Sequence, residues 1–395
     1  MKKITLSSAA LLLSAVCAIS QNNTSSVSST GNSNTATVIQ TGNSNGSTIN
    51  QNGNMNLAVT NQLGASNSAS QSQSGDNNRA FNDFFGAPGQ DGSGNSMNQN
   101  QSGFDNFAWN NQFGDGNGSS QWQNGVLNTA GTAQLGSYNG AFQQQIGDNN
   151  SVYNRQNGDG NSANQFQNGY YNQAYNGTDY YAGQNGNGNG LDQTQYGWYN
   201  YAWNYTVGDN NYASQYQSGT ENTANAYQIG NGNFIRGQDQ FGESNYAFTY
   251  QYGDNNYTHQ RQDGYLNSAN AWIFGDGNRT EQHSWGEANS AYINQNGDNN
   301  TAEQMQGWDR AYDGDGNWIY GFYTWDTYSY YNEASIDQQG SWNEAYQFQN
   351  GDNHYSTIGQ YGDVNNALVN QRGSTHFSTV SQVGNGNVAT VNQNN

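Results

Sequence analysis

The chain has 395 residues, 32% of them in the AVILMFWYC set and only 10% charged, with a formal net charge of −20. Leu, Ile and Val are too sparse for ordinary aliphatic-cored globules, while 14% aromatic residues and few charges exclude plain disorder. The acidic balance repels phosphate backbones and argues against nucleic-acid partners, and the one proline in the chain suits uninterrupted β-pairing.

In chain order, residues 1–20 read as a secretory signal. Lys2 and Lys3 form the basic region, Leu6 to Val16 the short apolar stretch, and Ala18-Ile19-Ser20 a cleavage site before Gln21. The apolar run is too short to span a membrane, and no longer one follows. Cys17, the only cysteine, lies in this leader; lipidation there is disfavoured by Val16. The remaining chain therefore lacks disulfides, Cys-ligated metals and Cys nucleophiles. Residues 21–30 form a separate segment ahead of the repeats.

From Gly31 onward, glycine recurs every 11 residues, as at Gly31, Gly42, Gly53, Gly64 and Gly75. The series continues over Gly103–Gly169, Gly186–Gly230, Gly242–Gly297 and Gly340–Gly384, with one step of 12 between Gly230 and Gly242. Breaks near 81–98, 173–183 and 307–331 read as loop insertions, and Pro88 falls in the first. Around each glycine the pattern is Q-x-G-x-x-N-x-A-x-x-x-Q. Gln62, Gly64, Asn67, Ala69 and Gln73 carry it, as do Gln217, Gly219, Asn222, Ala224 and Gln228, and Gln360, Gly362, Asn365, Ala367 and Gln371.

G-x-x-N is turn chemistry, because Gly, Asp and Asn tolerate left-handed backbone. The residues between turns have strand length, and alternation places Asn, Ala, the residue two further on and Gln on one face. In one arm that face is Asn139, Ala141, Gln143 and Gln145; in another it is Asn365, Ala367, Val369 and Gln371. This regular face is expected inside, its amides bonded along stacked rungs, with the variable face outside, as at Tyr246, Phe248, Tyr250 and Tyr252. The fold class is thus all-β: a solenoid of strand-turn-strand rungs, 22 residues each in two 11-residue arms, stacked as cross-β over 31–395.

These arms resemble the repeats of curlin, the major subunit of curli fibres. The resemblance implies an extracellular, cell-surface amyloid serving adhesion and biofilm matrix. It also implies self-assembly, a nucleator curlin, a curli outer-membrane secretion channel and accessory factors, with residues 21–30 as the N-terminal export-targeting segment. Open end rungs, around 31–80 and 340–393, present unpaired backbone groups that template another copy, with the half-arm Val388–Gln393 as one such edge. The alternatives are a monomeric solenoid adhesin binding glycans or surfaces, and a nucleator role.

No enzyme constellation, phosphate loop or cofactor motif is present. His354 and His376 each replace the turn Asn and lie 22 residues apart, so stacking them makes a candidate metal or pH site; substitution within the Asn ladder is the simpler reading. Turn aspartates such as Asp76, Asp148, Asp209, Asp254, Asp298, Asp352 and Asp363 serve turn formation and solubility, and their spacing does not match calcium-binding rolls. The run Asp313, Asp315, Asn317 starts like an EF-hand loop, but Trp318 and Thr324 occupy the positions that need Gly and Glu.

Overall fold

The computed structural model describes residues 22–82, 89–177, 183–307, 309–312, 318–324 and 329–394. The expected leader, Cys17, Pro88 and the run Asp313–Asn317 lie outside the described residues. Among those described, the chain is all β, with parallel strands wound as a β-solenoid of about 15 turns. Two compact units divide it, residues 1–189 and 190–395.

In the first unit each turn contributes one strand to each of two parallel walls. Wall 1 contains Ser96–Phe104, Gly118–Val126, Gly140–Ile146 and Ser162–Tyr170 in unbroken register, so that Gln99, Gln121, Gln143 and Gln165 stand in one column. Wall 2 contains Phe107–Phe113, Thr129–Leu135 and Ser151–Asn157, paired the same way. Burial alternates with period two along strands such as Gly118–Val126 and Ser151–Asn157, as the pleat requires, while in Phe107–Phe113 the outward Trp109 and Asn111 are buried as well. Asn139, Ala141, Gln143 and Gln145 are all buried, so the regular face is the interior.

The strand at Thr24–Thr30 belongs to the same wall, in register with Gly46–Asn52. The segment preceding Gly31 therefore forms part of the first rung.

The second unit repeats this plan. Wall 1 runs from Gly190–Trp198 to Val388–Asn394, and wall 2 from Tyr201–Val207 to Phe377–Val383. A bulge at Arg236, between Ile235 and Gly237, absorbs the extra residue of the 12-residue step without disturbing the pairs on either side.

The turn explains the glycine period. Gly75 has φ +105, and a Cβ added to it would lie 2.0 Å from the carbonyl oxygen of Gly103 in the next rung. Backbone conformation and close stacking both demand glycine there. Two residues further on, the chain enters the left-handed region again, as at Asn77 (φ 59). The Asn that follows re-enters the strand.

Pairing also locates the insertions. Thr60 pairs with Asn82 and Gln62 with Gln90, so the first excursion leaves mid-strand and returns at Gly89, pressed against the Asn82 carbonyl. The second leaves after Asn176 and returns at Gly183, with Gln156 opposite Gln184. In the third, Ser284 pairs with Gln306 and Gly286 with Ser329. Within it, Asp309–Tyr312 and Trp318–Thr324 form an antiparallel pair. The interruptions are narrower than the breaks in glycine spacing, because Gly92 and Ser329 each carry an arm that the 11-residue phase misses.

Candidate functional site: the amide columns and the outer faces

Each inward glutamine is wired to the rungs on both sides. Gln121 Nε2 donates to Gln143 Oε1 at 2.9 Å and to the Trp109 carbonyl at 2.9 Å across the interior. Gln143 Nε2 repeats both bonds, to Gln165 Oε1 and the Gly131 carbonyl, while its own oxygen also accepts from the Thr132 hydroxyl. One amide thus ties neighbouring rungs and opposite walls together. A buried amide left unpaired costs roughly 1–3 kcal/mol, so such a column is stable only in register.

The sequence-derived ladder residues occupy these positions. Gln62, Gln73, Gln217, Gln228, Gln360 and Gln371 donate to Gln90, Gln101, Gln240, Gln251, Gln382 and Gln393 at 2.8–3.1 Å. The backbone N–H groups of Asn67, Asn222 and Asn365 donate to the side-chain oxygens of Asn45, Asn200 and Asn343. Ala69, Ala224 and Ala367 are buried, and Gly64, Gly219 and Gly362 all have positive φ. The columns therefore have a direction: glutamine amides donate toward the later rung, and Asn N–H groups toward the earlier one.

His354 and His376 extend an Asn column in imidazole form. His354 N–H donates to Asn332 Oδ1 at 2.8 Å, its Nε2 contacts the Asn350 carbonyl at 3.2 Å, and its Nδ1 accepts from His376 N–H at 3.2 Å. The rings lie parallel, with centroids 5.2 Å apart. Both nitrogens of His354 are thus engaged, as a neutral ring with its proton on Nε2. Burial is the largest influence on its pKa, pushing it below the usual imidazole value, with His376 pushing the same way and the Asn350 carbonyl opposing.

The turn carboxylates have a structural role that spacing alone did not reveal. Asp76 Oδ1 accepts the Asn54 N–H at 2.7 Å, and Asp148, Asp276, Asp298 and Asp363 do the same for the rung before each of them. Among the described residues, no group of three or more His, Cys, Asp or Glu is arranged to hold a metal ion.

Outward aromatics concentrate in the second unit. On wall 2, Trp203 meets Tyr227 at 4.4 Å, Tyr227 meets Phe248 at 5.7 Å, and Phe248 meets Trp272 at 4.9 Å between ring centroids. On wall 1, Tyr212, Phe234 and Tyr257 stack in one column, and Arg279 lies over the Tyr257 ring. Burial, followed by the hydrogen bond to Asp192, pushes the Tyr212 pKa up to about 12. Cross-rung aromatic pairs of this kind reinforce a sheet.

Residues 332–362 and 362–394 match the family model of the curlin associated repeat. The C-terminal stretch 332–394 thus carries curlin associated repeats. No curated protein matches the chain. The two matched curlin repeats carry Gln338, Gln360, Gln371 and Asn365 on the inner columns, so the family signature and the ladder coincide. No helix among the described residues is long and apolar enough to cross a membrane.

Proposed function

We propose that this curlin-repeat chain is a secreted structural subunit of curli-type amyloid fibres. It assembles by stacking rung on rung, at the cell surface, for adhesion and biofilm matrix. The observation that carries this reading is the continuous amide column, as in Gln121–Gln143–Gln165. Such columns are satisfied only by further rungs of the same kind, and an open sheet edge is a template for them. The family resemblance supplies the accompanying partners: a nucleator curlin, an outer-membrane channel and accessory factors. The N-terminal leader expected from the sequence supplies the route out of the cell.

The aromatic strip from Trp203 to Trp272 favours a second reading, a monomeric solenoid adhesin whose outer face binds glycan or surface. Thioflavin-T kinetics with X-ray fibre diffraction on the secreted chain separates the two. Seeded fibres with strands across the fibre axis are expected of the subunit. A β-rich species that stays monomeric at high concentration with seeds present supports the adhesin and defeats the fibre reading.

A further inference from the structure

Trp122 stands apart from the wall tryptophans that pack against other rings. Trp109 is 8% exposed and meets Tyr153 at 5.7 Å, and Trp203 and Trp272 lie within the aromatic strip. Trp122 stands mid-strand in Gly118–Val126, 44% exposed, with no ring contact among the described residues. Its column partners one rung either way are Asn100 and Gln144, so amides rather than rings flank the indole. Ser102, Asn124 and Ile146 form the next outward column, two residues along each strand. Together these side chains border a groove of about 240 Å³ on wall 1 of the first unit, with the inward residues Gln123 and Gln145 beneath it.

The chemistry of this lining narrows what can occupy it. The inward Gln99, Gln121 and Gln143 commit their amides to the columns. The side-chain amides of Asn100, Asn124 and Gln144 make no hydrogen bond among the described residues. Each therefore keeps a carbonyl acceptor and two N–H donors for a ligand, which suits hydroxyl groups that both donate and accept. The exposed indole offers the apolar platform on which the C–H face of a sugar ring can lie. Charge excludes the competing classes. The chain carries −20 overall, yet Ser96–Phe104, Gly118–Val126, Gly140–Ile146 and Ser162–Tyr170 contain no charged residue. A phosphate, a carboxylate or a cation finds no counter-ion on this face. A lipid chain would cover the amides without pairing them, which is unfavourable.

We infer that this groove binds a neutral, extended hexopyranose chain, with one ring stacked on Trp122 and its hydroxyls bonded to Asn100, Asn124 and Gln144. The wall is straight and open along the stack, so a chain can continue past the groove. Phe166 lies two rungs on in the Trp122 column, about 10 Å away, roughly the length of two residues of an extended glycan. The site is separate from the aromatic strip at Trp203–Trp272. It faces away from the stacking direction, so it is compatible with a fibre subunit and with a monomer alike.

The test is saturation-transfer difference NMR on the secreted chain with three probes: cellohexaose, mannohexaose and the acidic hexagalacturonic acid. Saturation is expected to reach the ring C–H protons of at least one neutral probe and not those of the acidic one. Trp122→Ala, with unchanged circular dichroism, should weaken that binding about tenfold. Trp122→Phe, which keeps an aromatic platform, should retain most of it. Trp203→Ala and Trp342→Ala, which remove tryptophans elsewhere, should leave it unchanged. Three results overturn the inference: no signal from either neutral probe, an equal signal from the acidic probe, or a Trp122→Ala chain that binds like the parent. Loss of binding with Trp203→Ala alone also overturns it, and moves glycan recognition to the strip of the adhesin reading.

Discussion

The rungs around Gln143 and those around Val369 share one backbone and differ in what fills it. In the first, the middle inward position is an amide bonded to the rungs on either side and to the opposite wall. In the second it is a valine in an aliphatic cluster with Ile336, Ile358 and Val380. Both sides of the comparison keep the Gln two residues before the glycine, and three residues after it they carry Asn or, at His354 and His376 in the second region, the imidazole that stands in for it. The turn and its flanking amides therefore define the rung, while the middle position is free to set how strongly a rung depends on its neighbours. Amides demand a correct partner; valines demand only coverage.

The turn is common to both regions, and breaking it is expected to have the largest effect. Gly75→Ala combines a positive φ with a Cβ 2.0 Å from the Gly103 carbonyl, and should cost about 3 kcal/mol or more in urea unfolding. Next comes Gln143→Leu, which strands the Thr132 hydroxyl, the Gly131 carbonyl and partners on both adjacent rungs; a loss of about 3 kcal/mol is expected. Val369→Ala in the contrasting region loses packing and no hydrogen bond, and should cost about 1–2 kcal/mol by the same measurement. Equal costs for these two would remove the distinction between the regions.

A smaller effect sharpens the comparison through pH. The folded-state pKa of His354 lies below its unfolded value near 6.5, so acid protonates the unfolded chain first. Near neutral pH and above, the ring contributes no penalty. As pH falls below about 6.5, stability is progressively lost, levelling once the folded pKa is passed. His376 and Asp352 are the titratable groups acting on it, in opposite directions. Thermal melts from pH 7.5 to 5 should show this loss, and His354→Asn, which restores the ladder's usual residue, should remove that component. Smallest is Val364→Gly. Val364 is β-branched and exposed at φ 59, so replacement should stabilise by about 1 kcal/mol or less in the same melts.

Much of this architecture is legible in the sequence because one physical constraint repeats. The Gly75-type turn tolerates no side chain, so the 11-residue period survives everywhere that turn does. Period-two alternation then places Asn139, Ala141, Gln143 and Gln145 inside without further information. What escapes is whatever breaks phase while preserving pairing. Gly92 continues the glycine column after an excursion that leaves from mid-strand, and Ser329 substitutes for glycine in it, so spacing alone hides both arms. The bulge at Arg236 appears only as a 12-residue step. Asp76 reads as a turn former, since its bond to Asn54 joins residues 22 apart. The imidazole of His354 reads as a substitution, and that it reproduces both asparagine bonds is visible only in three dimensions.

Side-chain amide hydrogen exchange, followed by NMR on 15N-glutamine-labelled chain, addresses the amide columns directly. If Gln121 and Gln143 are bonded inside the stack as described, their Nε2 protons should exchange orders of magnitude more slowly than those of outward Gln144. Exchange of Gln121 and Gln143 at the rate of Gln144 would mean that the columns do not hold the rungs.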